Sequence, residues 1–280
     1  MSYSLSNDLY FILNGNLLEI DKFSSSEIKG DTVIYEVVRV KKSAPVFLRE
    51  HIGRLHNSIN LAKLKQLDYD ELNRSIVELL MKNPVDEKNI KIVVNYTSRN
   101  DFPQYIIFFI PSKYPSSVER EKGVCVQTIN ATRLNPEIKA ENKSLRSYAD
   151  TIIHNSGCYE VLMINEQGLI TEGSRSNVFF VMNGKLFTAP SADVLGGITR
   201  EKVIHLSNKL GIEVVFNSLK SNELKNIEGA FLTGTSPGVL PIAKIDDIEL
   251  SVNVDLINQI SCEYEKLVNA EMANWRSINH

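Results

Sequence analysis

The sequence TEGSRSN at residues 171–177 places a glutamate, a glycine, two serines and an asparagine directly after a short apolar run. The apolar and β-branched residues predict a strand, and the small polar residues that follow predict a turn. Glu172 lies between Ile170 and Gly173 inside this β-rich region, which argues against an exposed acid at a strand end. Three more motifs lie within residues 133–199: PEIKAEN (136–142), GCYE (157–160) and GGIT (196–199).

The first third of the chain predicts a small unit that mixes strands and helices. The pair Asn14-Gly15 between apolar residues is typical of a β-hairpin, and VIYEVVRV at 33–40 has the composition of a strand. Asp68 and Glu71 form a capping-box pattern, which predicts the start of a helix. The same reasoning predicts a helix at 51–64 and strands at 90–96 and 105–110.

The second half of the chain predicts strands joined by tight turns, followed by a closing helix. Between the halves, PSKYPSSVEREK at 111–122 holds two prolines, three serines and a charge cluster. This composition is typical of a linker, although an exposed loop inside one domain has the same composition. We therefore predict a small N-terminal domain at 1–115, an interdomain linker at 116–122 and a larger domain at 123–280.

Composition excludes several classes of protein. The chain has 280 residues, of which 43% are hydrophobic and 23% charged, so disordered, collagen-like and disulfide-scaffold proteins are excluded. The net charge of −3 gives no positive field that would draw the protein to nucleic acid or to an anionic membrane. No apolar run approaches the roughly 20 residues that a bilayer requires, and the first residues do not resemble a secretory signal.

The cysteines and histidines predict neither disulfides nor a metal site. Cys125, Cys158 and Cys262 are an odd number at wide spacings, and the five histidines form no ligand pattern. The motifs of zinc enzymes, of the two common nucleotide-binding loops and of the nucleophile elbow are absent from the sequence. We expect a reducing, cytoplasmic location.

Taken together, the motifs resemble those of the class IV aminotransferase family, whose members use pyridoxal phosphate. IKxxN, TEGSxSN and GIT occur in the family's order and at about its spacing, and YEVVRV and REHIGRLHNS match in the first half. The family includes branched-chain aminotransferases, D-amino-acid aminotransferases and aminodeoxychorismate lyase. The resemblance implies an α/β (α+β) fold of fold-type IV. In that fold a small N-terminal α+β domain precedes a larger, β-barrel-like cofactor-binding domain with helices.

The lysine that binds the cofactor covalently in this family corresponds to Lys139. Lys139 has the family's isoleucine before it and asparagine three residues after it, and the pattern continues without a gap into GCYE. Lys143 is the alternative, and its pattern would need one helical turn removed. A lysine must be neutral to attack an aldehyde, and burial beside a cofactor favours that form. The same amine can then move a proton between the substrate and the cofactor.

The remaining cofactor contacts follow from the same resemblance. Glu172 corresponds to the partner of the pyridine nitrogen, where a carboxylate keeps the ring protonated. Ile198 and Thr199 start a predicted helix, whose free N–H groups can bind the phosphate. Arg54 corresponds to a phosphate-binding guanidinium, although a surface arginine is the alternative. The other implied positions are Thr235 and Ser236 in a second phosphate-binding turn, Asn177 beside Glu172, Leu195 on the ring face or in the core, and Tyr35 at the substrate or in the core.

The sequence departs from the family at two positions that bear on the substrate. D-amino-acid enzymes hold the substrate carboxylate with a strand arginine, but residues 94–97 here are Val-Asn-Tyr-Thr and the nearest arginine is Arg99. The turn after Gly234 contains Pro237, which has no backbone N–H to donate. Both departures concern carboxylate binding and leave the cofactor positions intact.

The favoured function is transamination in a ping-pong order, from a branched-chain amino acid or a broad range of amino acids to a 2-oxo acid. The alternatives are pyruvate elimination of the aminodeoxychorismate lyase type and transamination of D-amino acids. A non-catalytic protein that has kept the fold is a further alternative. The resemblance also implies a homodimer, and the partners expected are small-molecule amino acids and 2-oxo acids.

Overall fold

A computed structural model describes residues 8–24, 30–98 and 102–279. The fold is α/β with two curled sheets, which confirms the predicted fold class. The chain divides into two compact units. The first contains residues up to Lys113, the segment Ile138–Glu141 and residues from Val268 onward, and the second contains Tyr114–Glu137 and Asn142–Leu267.

The described part of the first unit contains one six-stranded sheet and two helices between its strands. The strands are β1 (Tyr10–Leu13), β2 (Asn16–Glu19), β3 (Thr32–Lys41), β4 (Ala44–Pro45), β5 (Glu87–Tyr96) and β6 (Gln104–Ile110). The helices are α1 (Leu48–Leu61) and α2 (Tyr69–Lys82). The order across the sheet is β2-β1-β6-β5-β3-β4, and every pairing is antiparallel.

Local sequence accounts for the main elements of this unit. Asn14 and Gly15 both have positive φ, as a two-residue hairpin turn requires. Asp68 caps α2 by accepting a hydrogen bond from the backbone N–H of Glu71 at 2.9 Å. Alternate residues of β3 are buried in the same apolar core as residues of α1 and α2. Glu36 occupies one of these alternate positions of β3 and is fully buried.

The described part of the second unit contains a nine-stranded mixed sheet. Its strands are β7 (Val124–Asn130), β8 (Glu160–Ile164), β9 (Ile170–Gly173), β10 (Asn177–Met182), β11 (Lys185–Thr188), β12 (Val214–Phe216), β13 (Gly229–Gly234), β14 (Gly238–Ile245) and β15 (Ile248–Glu249). Its helices are α3 (Ser117–Lys122), α4 (Lys143–Ser156) and α5 (Ile198–Lys209), and α6 (Asp255–Asn279) runs from this unit into the first. The order is β12-β11-β10-β13-β14-β7-β8-β9, and β15 pairs with β14.

The expected linker at 116–122 is a helix in the structure. Ser116 and Glu119 form a complete capping box, in which the serine hydroxyl accepts from the N–H of Glu119 and the glutamate accepts from the N–H of Ser116. The serines that suggested a linker therefore include Ser116, the cap of α3. The predicted boundaries also differ from the observed units because Ile138–Glu141 and the end of α6 belong to the first unit.

The prediction of no disulfide is wrong. Cys125 in β7 and Cys158 just before β8 form a disulfide with a Cα–Cα distance of 5.0 Å, while Cys262 is free and exposed. β7 and β8 are parallel neighbours, and the N–H of Tyr159 donates to the carbonyl of Cys125 at 2.9 Å. Strand pairing brings these cysteines together, and their spacing in the sequence gives no sign of it. Among the described residues, no helix combines the length and apolarity needed to span a membrane.

Candidate active site

Lys139 and Tyr35 are brought together in the first unit. The backbone N–H of Tyr35 donates to the carbonyl of Lys139 at 3.1 Å, and the N–H of Lys139 donates to the Ser58 hydroxyl at 3.2 Å. The Nζ of Lys139 lies 5.0 Å from the centroid of the Tyr35 ring, within cation–π range. Lys143, the alternative lysine, is an exposed residue at the start of α4. The segment that carries Lys139 thus runs along β3, and its amine lies beside the predicted substrate residue.

A buried carboxylate, Glu36, binds the predicted phosphate residue Arg54. Nε and Nη2 of Arg54 donate to the two oxygens of Glu36, both at 2.8 Å, and Nδ1 of His51 lies 2.9 Å from Oε2. Burial acts to raise the pKa of Glu36, but the charge and hydrogen bonds of Arg54 and the hydrogen bond of His51 hold it well below its usual range. Burial lowers the pKa of His51 in spite of Glu36. This arrangement fixes the guanidinium of Arg54 beside β3.

The first unit supplies a second lysine near Tyr35. The Nζ of Lys91 lies 4.8 Å from the centroid of the Tyr35 ring and 3.3 Å from a carboxylate oxygen of Glu141. Tyr35 pairs with Val93 across β3 and β5, so Lys91, two residues away, shares its face of the sheet. Lys91 therefore places a positive charge on β5, the strand that lacks the arginine of the D-amino-acid enzymes. Arg99, the nearest arginine in the sequence, lies outside the described residues.

In the second unit, Glu172 is buried and accepts hydrogen bonds from Arg133, Asn177 and Leu195. Nε of Arg133 donates to Oε1 at 2.7 Å, and Oε2 accepts from Nδ2 of Asn177 at 3.2 Å and from the N–H of Leu195 at 3.1 Å. Asn177 also donates to the carbonyl of Leu195 at 2.9 Å. The predicted residues Glu172, Asn177 and Leu195 are therefore joined in one network. Its fourth member, Arg133, was not singled out from the sequence.

A further buried carboxylate, Glu160, organises the turn that follows Glu172. It accepts hydrogen bonds from the hydroxyls of Ser174 and Ser176 at 2.7 and 3.0 Å and from the N–H of Arg175 at 3.0 Å. Burial raises the pKa of Glu160, and the two hydroxyls oppose the rise. This contact joins the motifs GCYE and TEGSRSN, since the acid of the first binds the serines of the second.

The predicted phosphate helix, α5, begins at Ile198 and Thr199, and both residues are buried. Its N-cap is Gly197, and no described side chain caps the helix, so its first N–H groups are suited to an anion. A Cβ at Gly197 would collide with Oδ1 of Asn177. Glycine at this position therefore lets the helix start come close to the Glu172 network.

The second predicted phosphate turn joins β13 to β14 and contains Thr235 and Ser236, which are both partly buried. Nη1 of Arg120 donates a hydrogen bond to the carbonyl of Pro237 in this turn, at 3.1 Å. Tyr264 of α6 lies close to both predicted phosphate elements. Its hydroxyl is 3.4 Å from that of Thr199, and its ring lies 3.2 Å from where a Cβ would stand at Gly238.

The predicted residues thus fall into two groups, one in each unit. Tyr35, Arg54 and Lys139 lie in the first unit, and the rest lie in the second. The described ranges contain no cluster of three or more His, Cys, Asp and Glu residues that could hold a metal ion. For Glu36 and Lys91 the sequence signal was a charged residue within an apolar strand. Sequence reasoning singled out none of six residues in these networks: Glu36, His51, Lys91, Arg133, Glu160 and Tyr264.

Comparison with known proteins gives a consistent result. The family model described as "Amino-transferase class IV" matches residues 33–245. A Thermotoga maritima protein named "Probable branched-chain-amino-acid aminotransferase" is 31% identical over 231 residues, covering 80% of this chain and 81% of its own. The D-alanine aminotransferase of Bacillus licheniformis is 28% identical over 251 residues, covering 84% and 88%.

Solved structures resemble the fold over almost the whole chain. The branched-chain amino acid aminotransferase of Thermobaculum terrenum, solved in its PLP-form, superposes with a TM-score of 0.82 at 25% identity. The match covers 97% of each chain. The implied relationship therefore extends to both units.

Proposed function

The chain belongs to the class IV aminotransferase family, and we propose that it transfers an amino group from branched-chain or a broad range of amino acids to a 2-oxo acid. It is an enzyme, and its cofactor is pyridoxal phosphate. The observation that carries the proposal is the buried carboxylate of Glu172, held by Arg133, Asn177 and Leu195 in the family's own motif.

The residues present fit this cofactor. The uncapped start of α5 suits a phosphate, and Gly197 is the residue that the close approach to Asn177 requires. Glu172 suits a protonated ring nitrogen, and Lys139, whose amine lies beside Tyr35, stands in the family motif that binds an aldehyde. When bound, pyridoxal phosphate supplies an aldehyde that accepts the amino group and a ring that accepts electrons.

Each residue then has one task. Lys139 would hold the cofactor covalently through its amine and, once that amine is free, could move a proton to or from the substrate carbon. Glu172, whose carboxylate is paired with Arg133, would accept a hydrogen bond from the protonated ring nitrogen. Ile198 and Thr199 would donate their backbone N–H groups to the phosphate. The side chains expected to complete the phosphate site are Arg54, Thr235 and Ser236, and Leu195 is expected on the ring face.

Lys91 is the group that we assign to a substrate carboxylate. It lies with Lys139 at the ring of Tyr35, and its charge is paired with Glu141. An incoming substrate carboxylate would replace Glu141 as the partner of Lys91. Lys91 would thereby supply the positive charge that the missing strand arginine would give and the donor that Pro237 lacks. The D-alanine aminotransferase relative makes D-amino acids the second candidate substrates.

The lysine assignment is tested with Lys139→Ala and Lys143→Ala, using a panel of L- and D-amino acids with 2-oxoglutarate or pyruvate. We expect Lys139→Ala to lose turnover and its cofactor absorbance at the edge of the visible range, because no amine is left to bind the aldehyde. Lys143→Ala serves as the matched control and should keep both. Turnover by Lys139→Ala with loss in Lys143→Ala would reverse the assignment. Pyruvate formed without any amino acceptor would instead indicate the lyase.

We also propose that the protein is a cytoplasmic homodimer. Light scattering on the holoenzyme measures the mass directly, and a fully active monomer would contradict the proposal. The Cys125–Cys158 disulfide is unusual for a reducing compartment, so its redox state in cells is the relevant test of location.

A further inference from the structure

The side chain of Thr233 carries a buried polar atom that the proposed reaction does not use. Thr233 lies in β13 and is 1% exposed. Within the described ranges, its Oγ1 has no hydrogen-bond partner. A buried hydroxyl without a partner costs about 1–3 kcal/mol, so such atoms are uncommon in folded proteins.

The position of Thr233 points to a ligand. Thr233 pairs directly with Asn177 across β10 and β13, so the two side chains share a face of the sheet about 4.5–5.5 Å apart at Cβ. Asn177 is the residue that donates to Glu172 and Leu195. Two residues beyond Thr233 is Thr235, in the second phosphate turn. The unsatisfied hydroxyl is therefore beside the residues assigned to the cofactor.

We infer that Thr233 is a further cofactor-binding residue, whose hydroxyl forms a hydrogen bond to bound pyridoxal phosphate. The inference rests on the proposed function and adds a residue to it. The hydroxyl has no hydrogen-bond partner in the apoprotein and forms a hydrogen bond only when the cofactor binds. The Thr233 hydroxyl therefore lowers the stability of the apoprotein and raises the affinity for the cofactor.

Thr233→Val tests this opposition because valine has the same shape without the hydroxyl. In the full-length apoprotein, we expect Thr233→Val to raise the unfolding midpoint, since an unsatisfied polar group is removed. Cofactor affinity, from spectroscopic titration with pyridoxal phosphate, should fall about five- to tenfold, as for one lost hydrogen bond. Thr233→Ser keeps the hydroxyl and should bind the cofactor within about twofold of the wild type.

Ser218→Ala is the matched control. Its hydroxyl is also buried and unpartnered within the described residues, but Ser218 lies after β12, outside the site networks. Ser218→Ala should stabilise the apoprotein and leave cofactor affinity unchanged.

Two results would overturn the inference. Unchanged affinity in Thr233→Val would show that the hydroxyl does not contact the cofactor, and a less stable apoprotein would show that a water molecule or a protein group satisfies it. Failure of the proposed function is distinguishable, because the wild-type protein itself would then bind no pyridoxal phosphate.

Discussion

Three buried carboxylates, Glu36, Glu160 and Glu172, differ in the charge of the groups that bind them. Arg54 binds Glu36 and Arg133 binds Glu172, so each of these acids has a positive partner. Glu160 is bound by hydroxyl and backbone N–H donors, and burial raises its pKa. A charged carboxylate is suited to a cation or a protonated ring, whereas Glu160 has the structural task of holding a turn.

The lowered pKa of His51 predicts a pH-dependent stability. The unfolded chain protonates this histidine near its ordinary pKa of 6.5, while the folded protein does so only at lower pH. The unfolded state therefore binds more protons below pH 6.5, and stability falls as the pH falls, by at most about 1.4 kcal/mol per pH unit for one group.

The measurement is urea unfolding of the wild type and His51→Gln between about pH 7.5 and 5.5, on either side of the ordinary histidine pKa. Glutamine cannot titrate but can still donate to Glu36, so the slope of stability against pH should be smaller in the variant. Exposed His56→Gln is the control and should keep the wild-type slope. Equal slopes in all three proteins would contradict the assignment. Glu36 does not interfere, because its lowered pKa confines its own loss of stability to pH values below about 4.5.

At the level of elements, the sequence predicts what local chemistry determines. The hairpin at Asn14-Gly15, the cap of α2 and the start of α5 were found because each depends on residues within one turn. The helix at Ser117–Lys122 is not predicted because the prolines and serines of this segment are typical of a linker, and the capping box of Ser116 and Glu119 lies among them. The Cys125–Cys158 disulfide could not be predicted, because it depends on which strands become neighbours.

That disulfide joins residues 33 positions apart, from β7 through α4 to the start of β8. Such a crosslink restricts the unfolded chain, and the loss of loop-closure entropy corresponds to a stabilisation of about 3–4 kcal/mol. We expect Cys158→Ser to lower the free energy of unfolding, measured in urea under oxidising conditions, by about 3–4 kcal/mol.

Cys262→Ser, at the free and exposed cysteine, is the control and should unfold like the wild type. A reductant should bring the wild type down to the level of Cys158→Ser without affecting that variant. Three reactive thiols in the native protein under oxidising conditions would show that the bond does not form.

At the level of the whole molecule, the individual residues of the candidate site could be predicted from the sequence, but the hydrogen bonds and ion pairs between them could not. The family resemblance identified Lys139, Glu172 and Arg54, since their types and spacings are in the motifs. It gave no sign that Glu36 binds Arg54 or that Arg133 binds Glu172, because those contacts join segments distant in the sequence. The sequence also gives no sign that Ile138–Glu141 belongs to the first unit, because the residues on both sides of this segment belong to the second.

The cofactor should therefore act on the stability of the whole chain. A ligand that binds only the folded state stabilises it by RT ln(1 + [L]/Kd), which is about 2.7 kcal/mol at about 100 times Kd. For a chain of this size, each kcal/mol of stabilisation raises Tm by about 2–4 °C. Pyridoxal phosphate should produce such a rise in the apoprotein when followed by calorimetry. Lys139→Ala, which keeps the phosphate contacts but loses the covalent bond, should show a smaller rise at the same concentration. An equal rise in both proteins would show that position 139 contributes nothing to holding the cofactor.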